Sequence, residues 1–316
     1  MEQKPTPQIY GLIGYPVKHS LSPAMHNAAF KKLGIPAEYR LFEVRPQDLE
    51  DFLLKDISAN DTDGSTIPTK DIKGFNITIP HKVRAREILE KRFPLAPTGD
   101  LFYRVKVSGA INTVKRSPNG LEYYWNTDVL GFSQSLREDL KFRGKDINVL
   151  LIGCGGAGRG VIAVLSWESI YHTKKIYIYE KDVQAANAAQ RYFFQELSPG
   201  FSFLKEKLEF ISSEQIAGVI KKCQLLVNTS PLGMKDSDPS PIDKSLLRRD
   251  LYVYDVVYNR NQKTQLIRDA ESLGISAQDG LGMLVRQGAI SFELWTGKEA
   301  PLEAMRQALA KELQKR

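Results

Sequence analysis

The chain of 316 residues is long enough for two domains, and its composition, 42% hydrophobic and 26% charged, is ordinary for a globular protein. Its 44 Lys and Arg residues exceed its 37 Asp and Glu residues without forming a basic run, so we expect no nucleic-acid partner. Its apolar runs fall short of the roughly 18 residues of a membrane span, and Cys154 and Cys223 lack metal-ligand spacing, so we expect a cytoplasmic protein without a membrane or metal partner.

The chain begins with a predicted strand over residues 9–13 that ends in a Gly/Pro turn. Ser22 followed by Pro23 then predicts the N-cap and first position of a helix. Ser20 and Ser22 lie two residues apart at this helix start. Their hydroxyls can bind an anion such as a carboxylate, or they can simply cap the helix, and the spacing leaves both open.

The next predicted elements are a strand over residues 38–44, a helix over residues 47–56 and an exposed polar loop over residues 58–73. A strand with one polar face follows over residues 75–79 and leads into a helix near Lys82. A lysine at such a junction is well placed for a cleft, but the position alone favours a solvated surface residue.

Two further strands are predicted over residues 110–114 and 123–126, and a helix follows. Asp128 lies at the start of that helix, where it can be an N-cap.

The most informative stretch joins an apolar strand over residues 147–152 to a glycine-rich turn and a helix. Gly153, Gly155 and Gly158 fit the pattern G-x-G-x-x-G. The first glycine allows a tight turn, the second lets the backbone approach a pyrophosphate, and the third lets helix and strand pack closely. With Gly156 at the helix start, free N–H groups face the phosphates. In this context the pattern favours dinucleotide binding over an ordinary glycine-rich connection.

Strands and helices keep alternating in the rest of the chain, which predicts a doubly wound parallel sheet. The predicted strands end in polar residues at Glu180, at Asn228 and, after the strand over residues 251–257, at Tyr258. Ligands bind at the carboxyl ends of such strands, so these three residues belong near the cofactor.

Six local patterns occur in the order found in shikimate dehydrogenases, and the chain resembles that family from Tyr10 to Trp295. The patterns are Ser20-Leu21-Ser22-Pro23 with His26-Asn27, Asn76-Ile77-Thr78-Ile79-Pro80-His81-Lys82, Gly109-Ala110-Ile111-Asn112-Thr113, Asn126-Thr127-Asp128 with Gly131, Asn228-Thr229 with Gly233-Met234, and Asp279-Gly280-Leu281-Gly282-Met283 with Gln287.

The resemblance implies an α/β fold of two domains. An N-terminal α/β substrate domain over residues 1–127 is completed by C-terminal helices over residues 280–316, and a Rossmann-type doubly wound parallel sheet spans residues 128–279. The implied activity is reversible hydride transfer between a nicotinamide dinucleotide and 3-dehydroshikimate or shikimate, in the biosynthesis of chorismate and aromatic amino acids. Lys82 and Asp128 form the implied acid–base pair. The implied assembly is a monomer or a homodimer.

The resemblance also implies the binding residues. Those that bind substrate are Ser20, Ser22 and Tyr258 at its carboxylate, and Thr78, Asn112, Asp128 and Gln287 at its hydroxyls or its reacting oxygen. Those that bind the dinucleotide are Gly153, Gly155, Gly156, Gly158, Glu180, Lys181, Asn228, Thr229, Val256 and Gly280.

One departure from the family pattern concerns the choice between NAD and NADP. NADP-using members typically carry an Asn-Arg-Thr run after the second strand of the nucleotide domain, whereas this chain has Glu180-Lys181-Asp182. Two unit negative charges about 4 Å apart repel by roughly 4 kcal/mol at an effective dielectric constant of about 20. We therefore expect Glu180 to favour NAD, with Lys181 as the group that can offset this effect by pairing with a 2′-phosphate.

Two other functions compete with this interpretation. The first is a quinate or quinate/shikimate dehydrogenase. Quinate carries an extra hydroxyl that would lie close to the two serines, but a pair of serines at these positions resembles the shikimate-preferring members of the family. The other is a non-catalytic regulator that senses the dinucleotide or shikimate. Such a regulator would be expected to lack Lys82 or Asp128, and both are present.

Overall fold

The structure is a computed structural model that describes residues 6–97, 99–117, 120–166, 171–197 and 199–315. Its strands are β1 (Gln8–Gly14), β2 (Ala37–Glu43), β3 (Ser58–Asn60), β4 (Thr66–Pro68), β5 (Ile72–Ile77), β6 (Thr113–Ser117), β7 (Gly120–Trp125), β8 (Ile147–Ile152), β9 (Thr173–Tyr179), β10 (Leu208–Phe210), β11 (Leu225–Asn228), β12 (Tyr252–Asp255) and β13 (Ala277–Gln278). Its α-helices are α1 (Ser22–Lys32), α2 (Leu49–Leu54), α3 (Lys82–Arg92), α4 (Gly99–Ser108), α5 (Thr127–Glu138), α6 (Gly156–Leu165), α7 (Val183–Arg191), α8 (Leu204–Lys207), α9 (Ile216–Val219), α10 (Gln265–Ser272), α11 (Leu281–Thr296) and α12 (Leu302–Leu313).

The chain divides into two compact units. The first comprises the residues up to Val105, Gly109–Thr127 and the residues from Val285 onward, and the second comprises Lys106–Ser108 and Asp128–Leu284. Among the helices of the described residues, none has both the length and the apolar character needed to cross a membrane.

The first unit is built on a five-stranded mixed sheet in the order β2-β1-β5-β6-β7. Strand β1 runs parallel to β2 and β5, while β6 is antiparallel to both β5 and β7. Fully buried side chains such as Ile13, Phe42 and Phe75 form its core. The central strands β1 and β5 are buried over most of their length, which indicates that both of their faces are covered.

The last two helices complete this first unit. Helix α12 packs on α1. On α11, Trp295 donates a hydrogen bond from Nε1 to the carbonyl of Val114 at 2.9 Å. A Cβ at Gly74 would lie only 2.5 Å from the Trp295 ring. Strand β5 therefore needs glycine at this position to let the indole lie against the sheet.

The prediction of an exposed loop over residues 58–73 was wrong, because this stretch contains the antiparallel hairpin β3–β4. Its turn is organised by Asp61, whose carboxylate accepts hydrogen bonds from Ser65 N at 2.8 Å and Asp63 N at 3.0 Å. Asp61 also pairs with Arg40 at 2.8 Å. Strands of three residues with mainly polar side chains give too short an alternation to stand out in the sequence.

Other predicted elements differ in their bounds, such as the strand predicted over residues 75–79, which is β5 and ends at Ile77. The helix predicted over residues 47–56 is the shorter α2, which a 3-10 turn precedes. The strand predicted over residues 110–114 begins only at Thr113, because Ile111 N bonds to the carbonyl of Lys82 at 3.1 Å. The strand predicted over residues 251–257 ends at Asp255 instead, since Val257 N bonds to the Asp255 side chain at 3.0 Å.

The second unit confirms the predicted α/β fold with a doubly wound parallel sheet. All six of its strands run parallel, in the order β10-β9-β8-β11-β12-β13. The direction of winding changes between β8 and β11, and ligands of such sheets bind outside the strand ends at this switch point. Its buried strands carry apolar side chains such as Leu150, Leu226 and Val253.

Candidate active site

The turn after β8 is closely packed at two glycines and open at a third. Gly153 has a φ of +89°, and a Cβ there would lie 2.8 Å from Ser230 N. At Gly158 a Cβ would lie 2.6 Å from the Gly153 carbonyl oxygen. Nothing lies within 4 Å of a Cβ built on Gly155, and α6 begins at Gly156. An open backbone position at a helix start fits the pyrophosphate of a dinucleotide.

Glu180 follows β9, and two backbone N–H groups hold its carboxylate. Oε2 accepts a hydrogen bond from Cys154 N at 2.8 Å, and Oε1 accepts one from Asp182 N at 3.1 Å. Asp182 in turn caps α7 by accepting from Ala185 N at 2.9 Å. The side chain of Lys181 is exposed. A negative charge is therefore fixed beside the glycine turn.

Thr229 connects the glycine turn to the end of β11 by hydrogen bonds. Its hydroxyl lies 2.9 Å from the carbonyl oxygen of Gly153 and 3.0 Å from that of Ile152, and its N–H donates to the Ile152 carbonyl at 2.7 Å. The hydroxyl is also 2.8 Å from the place of a Cβ on Gly158. Thr229 therefore stabilises the conformation of the glycine turn by hydrogen bonds to its carbonyl groups.

Asn228 is fully buried at the end of β11, and its amide stabilises the loop that follows. Nδ2 donates to Asp255 Oδ1 at 2.9 Å and to the Leu232 carbonyl at 3.1 Å. Oδ1 accepts from the hydroxyl of Ser230 at 2.7 Å and from its N–H at 3.1 Å. Its amide therefore acts inside the protein, and the predicted contact of Asn228 with the dinucleotide stays a prediction.

Asp255 is a fully buried carboxylate at the end of β12. It accepts hydrogen bonds from Asn228 Nδ2 at 2.9 Å, Val257 N at 3.0 Å and the Thr264 hydroxyl at 2.6 Å. Burial raises its pKa to about 6, the negative charge of Asp279 adds to the rise, and the three hydrogen bonds oppose it.

Val256 and Gly280 approach one another closely. A Cβ on Gly280 would lie 1.9 Å from the Val256 carbonyl oxygen, so only glycine fits there. Tyr258, which was expected to end its strand, lies three residues beyond the last residue of β12. It is half-buried, and burial raises the pKa of its phenol.

In the first unit, the two serines at the start of α1 do not act as helix caps. The helix begins at Ser22, Leu21 occupies the N-cap position, and no side chain caps it. Ser20 Oγ accepts a hydrogen bond from Ser22 N at 3.2 Å. Burial raises the pKa of the Tyr39 phenol, and the side chain of Ser22 acts in the opposite direction. The alternative role as simple caps is therefore not what the structure contains.

The segment from Thr78 to Lys82 is held on both sides. Thr78 N donates to the Ile13 carbonyl at 2.9 Å, and His81 N donates to the Thr78 carbonyl at 2.9 Å. His81 is buried with its Nε2 2.6 Å from the Val44 carbonyl oxygen, and burial lowers the pKa of its imidazole. Lys82 is half-buried as the first residue of α3. His81 therefore fixes the backbone from which Lys82 extends.

Asn112 has an amide whose orientation is determined by its neighbours. Its Oδ1 accepts from Thr127 N at 2.7 Å and lies 3.0 Å from the Thr113 hydroxyl. Because a backbone N–H can only donate, the atom facing Thr127 is the oxygen. Nδ2 consequently faces Gln287, whose Oε1 lies 3.4 Å away. Two predicted substrate residues thus lie together, with donor and acceptor roles assigned.

A buried cluster beside Asn112 was missed by the sequence analysis. Asn76 Nδ2 donates to Ser291 Oγ at 2.9 Å and to Thr113 Oγ1 at 3.0 Å, and its Oδ1 accepts from the Tyr39 phenol at 2.8 Å. The signal was the polar Asn76 within the apolar strand β5. Because Asn76 Nδ2 also donates to the Asn112 carbonyl at 3.2 Å, hydrogen bonds run from Tyr39 to Asn112 inside the first unit.

The predicted site residues separate by unit. The first unit contains Ser20, Ser22, Thr78, Lys82, Asn112 and Gln287, and the second contains Asp128, Gly153, Gly155, Gly156, Gly158, Glu180, Lys181, Asn228, Thr229, Val256, Tyr258 and Gly280. Asp128 is buried in the first turn of α5.

Two family models match the chain. The one described as "Shikimate dehydrogenase substrate binding domain" matches residues 12–114, and the one described as "Shikimate 5'-dehydrogenase C-terminal domain" matches residues 280–310. The chain is 36% identical over 309 residues to the curated shikimate dehydrogenase (NADP(+)) of Methanopyrus kandleri, covering 96% of each protein.

Two solved structures share the fold over nearly the whole chain. One is the shikimate 5-dehydrogenase from Listeria monocytogenes in complex with shikimate and NAD, with a TM-score of 0.75, 29% identity and 98% of each chain covered. The other is the quinate dehydrogenase from Corynebacterium glutamicum in complex with NAD, with a TM-score of 0.76, 27% identity, and coverage of 96% of this chain and 99% of that one.

Proposed function

The chain belongs to the shikimate dehydrogenase family, and on that premise we propose that it catalyses the reversible reduction of 3-dehydroshikimate to shikimate with a nicotinamide dinucleotide. The first unit binds the substrate and the second binds the dinucleotide. The reaction belongs to chorismate and aromatic amino acid biosynthesis. The observation that carries this proposal is the family match together with the oriented Asn112–Gln287 pair, because a hydroxyl-rich substrate needs donors and acceptors already in place.

The substrate residues divide by chemistry. The hydroxyls of Ser20 and Ser22, together with Tyr258, bind the carboxylate. Asn112 Nδ2, Gln287 and Thr78 bind ring hydroxyls. The fixed orientation of the Asn112 amide supports this role, because a donor that needs no reorganisation loses less free energy on binding. A site of this kind can reject an analogue that lacks a hydroxyl by roughly 10⁴-fold or more.

Lys82 and Asp128 move the proton. The dinucleotide, when bound, supplies the hydride to the carbonyl carbon or takes it back. The ammonium of Lys82 stabilises the negative charge that develops on the substrate oxygen and donates a proton to it, and in the reverse direction its amine takes the proton back. The carboxylate of Asp128, the other member of the acid–base pair, accepts a hydrogen bond from a substrate hydroxyl. The half-buried Lys82 at a helix start held by His81 supports this assignment.

The glycine turn of the second unit binds the pyrophosphate. Gly155 and Gly156 present the backbone at the start of α6, where N–H groups are not used by the helix. Gly153 and Gly158 allow the close packing behind them, and Thr229 holds that packing in place. The Val256 and Gly280 backbones contact the nicotinamide end.

We infer that NAD is preferred over NADP. The support is the position of Glu180, whose two carboxylate oxygens accept hydrogen bonds from Cys154 N and Asp182 N. A carboxylate held in this way keeps its charge where a 2′-phosphate would lie, instead of turning aside for Lys181 to bind it. The remaining acceptor capacity of the carboxylate suits the 2′-hydroxyl of NAD. The Methanopyrus relative is named for NADP(+), so a preference for NAD would distinguish this chain from it.

Quinate is the second candidate substrate, because the chain shares its fold with the Corynebacterium quinate dehydrogenase. The experiment that tests the function is a rate assay of the purified protein with shikimate or quinate and with NAD⁺ or NADP⁺, followed by the absorbance of the reduced nicotinamide. We expect the highest kcat/KM for shikimate with NAD⁺. A preference for NADP⁺ would overturn only the inferred cofactor preference, and a preference for quinate would overturn the assignment of shikimate as the substrate. The absence of turnover in all four pairs would overturn the proposed catalytic activity.

A further inference from the structure

One buried carboxylate joins three segments at the carboxyl edge of the second unit's sheet. Asp255 lies opposite Asn228 in the β11–β12 ladder and accepts a hydrogen bond from its amide. It also accepts one from Val257 N, in the turn after β12, and one from Thr264, the N-cap of α10. No other single side chain described above connects as many parts of this edge.

Two of these segments carry residues assigned to ligand binding. Asn228 leads into the loop that contains Thr229, whose hydroxyl bonds to the glycine turn. The turn after Asp255 carries Val256, whose carbonyl oxygen is in close contact with Gly280, and then Tyr258. Thr264 ends that turn and begins α10. A shift of Asp255 would therefore displace both the residues proposed to bind the pyrophosphate and those proposed to bind the nicotinamide.

We propose that Asp255 is a positioning residue of the enzyme, whose ionised carboxylate holds the Asn228 loop and the Val256–Tyr258 turn in the geometry that binds the dinucleotide. The inference rests on the proposed function. Asp255 itself touches neither substrate nor dinucleotide, because it is fully buried.

The chemistry of the site favours a carboxylate. Oδ1 accepts two N–H donors, from Asn228 and Val257, and Oδ2 accepts the hydroxyl of Thr264. A carboxamide has only one acceptor oxygen, so in the isosteric asparagine the Thr264 hydroxyl would lose its acceptor and would have to accept from an NH₂ group instead. Hydrogen bonds to a charged acceptor are also stronger than those to a neutral one. Retaining a buried charge without a cationic partner is costly, which is consistent with a functional reason for it.

The charged groups around Asp255 determine how it titrates. Asp279, after the neighbouring strand β13, faces it and raises its pKa. Lys263 is paired with Glu271 at 2.6 Å, and Arg260 acts on the Tyr258 phenol. The Asn228 loop contains no titratable side chain up to Met234.

On α10, the charged groups Arg268 and Asp269 have partners of their own. Arg268 bonds to the Lys263 carbonyl and to Gln265, and Asp269 accepts from Gln265. Protonation of Asp255 near its pKa of about 6 therefore changes a single charge and turns one acceptor oxygen into a donor.

The test measures the dissociation constants of NADH and NADPH by fluorescence titration as a function of pH for the wild type, Asp255→Asn, Thr264→Val and Asp61→Asn. Asp61→Asn is the matched control, since Asp61 is also a buried carboxylate that accepts several hydrogen bonds, but in the β3–β4 hairpin. Thr264→Val keeps the carboxylate and removes one bond that lowers its pKa.

We expect Asp255→Asn to raise the dissociation constant of the preferred dinucleotide by roughly tenfold, in keeping with the strength of hydrogen bonds to a charged group. The affinity of the wild type should weaken as pH falls through about 6. The midpoint of this pH dependence should move to higher pH in Thr264→Val, and the pH dependence should be absent in Asp255→Asn. Asp61→Asn should change thermal stability without changing either dissociation constant.

Affinity of Asp255→Asn within twofold of the wild type, or an unchanged midpoint in both site variants, would overturn this inference while leaving the function standing. An equal loss of affinity in Asp61→Asn would also overturn it. Failure of the wild type to bind either dinucleotide would instead overturn the proposed function.

Discussion

The carboxylate of Glu180 and the backbone N–H of Cys154, inside the glycine turn, are joined by a hydrogen bond of 2.8 Å. This bond ties the end of β9 to the turn after β8, so the charge of Glu180 and the shape of the turn are linked. The Cys154 thiol is buried, and burial raises its pKa to about 12, which leaves Glu180 as the negative charge at this point of the turn.

The first prediction concerns the cofactor. Glu180→Gln keeps an acceptor oxygen for Cys154 N and removes the charge. We expect kcat/KM with NADP⁺ to rise by about tenfold or more, because even half of the roughly 4 kcal/mol repulsion between close charges exceeds a tenfold effect. The rate with NAD⁺ should change much less. Steady-state rates with both dinucleotides are the measurement.

Glu209→Gln, on the neighbouring strand β10, is the control for that variant, because it removes an exposed acid of the same sheet. It should leave the ratio of the two rates unchanged. If Glu180→Gln did not alter the ratio, the charge of Glu180 would have no part in cofactor choice.

The second prediction concerns the acid–base pair. We expect Lys82→Ala and Asp128→Asn each to lower kcat by about 10²–10⁴-fold, the usual contribution of general acid–base catalysis. Thermal unfolding should be nearly unchanged in both, since Lys82 is only half-buried and the asparagine is isosteric. Lys91→Ala, an exposed lysine of the same helix α3, should keep normal turnover. Turnover near the wild-type value in either site variant would refute the assignment.

The third prediction concerns the contact between Gly280 and Val256. A methyl group at residue 280 cannot fit 1.9 Å from a carbonyl oxygen, so Gly280→Ala must displace the backbone of one of the two. We expect dinucleotide binding to weaken by about tenfold or more and stability to fall by about 1–3 kcal/mol, as for other overpacked sites. Calorimetric titration and denaturant unfolding measure the two effects.

Gly218→Ala is the control for Gly280→Ala. Gly218 is an exposed residue of α9, and nothing lies within 4 Å of a Cβ there. The substitution should be neutral or stabilise by about 0.5–1 kcal/mol, because alanine has the higher helix propensity. Equal effects of the two substitutions would show that the close contact does not matter.

The fourth prediction concerns acid stability. The His26 imidazole is fully buried, stacks on Tyr39 with the ring centroids 4.3 Å apart, and has no hydrogen-bond partner at either nitrogen among the described residues. Burial lowers its pKa to about 3, from 6.5 for an ordinary histidine. The folded state therefore takes up this proton less readily than the unfolded state, and His26 contributes stability that is present above pH 6.5 and lost as pH falls toward 3.

His26→Phe removes this proton and keeps the stacking. Between about pH 7 and about pH 4.5, the free energy of unfolding of the wild type should fall by roughly 2–3 kcal/mol more than that of the variant. Asp255, whose pKa is shifted the opposite way, is present in both proteins and cancels in this difference. Parallel pH profiles of the wild type and His26→Phe would show that His26 does not control acid stability. His172→Gln, at an exposed histidine, is the control and should leave the pH profile unchanged.

The geometry of the glycine turn after β8 was predictable because its signal is local. The glycine spacing, the apolar strand before it and the helix after it all lie within a short stretch, and steric fit dictates the glycines. The open Gly155 and the packed Gly153 agree with the roles that the spacing implied. The same applies to the parallel sheet, because repeated alternation of strand and helix leaves few other topologies.

The buried polar cluster of the first unit was not predictable in this way. Asn76 and Ser291 are 215 residues apart, and nothing in either local sequence shows that they meet. Asp255 was missed for a different reason, because an apolar run that contains one acid was interpreted as a longer strand ending at Tyr258. The acid in fact ends the strand, since its carboxylate takes the N–H of Val257 out of the ladder.

The late position of Trp295 in the chain has a consequence for the order of synthesis. Its ring covers Gly74 in the first sheet, yet the ribosome makes Asp128–Leu284, most of the second unit, before it makes this residue. Domains generally fold as units while the chain is being made. We therefore expect the second unit to fold first. The five-stranded sheet of the first unit, although synthesised earlier, should complete its folding only when α11 and α12 are available to cover it.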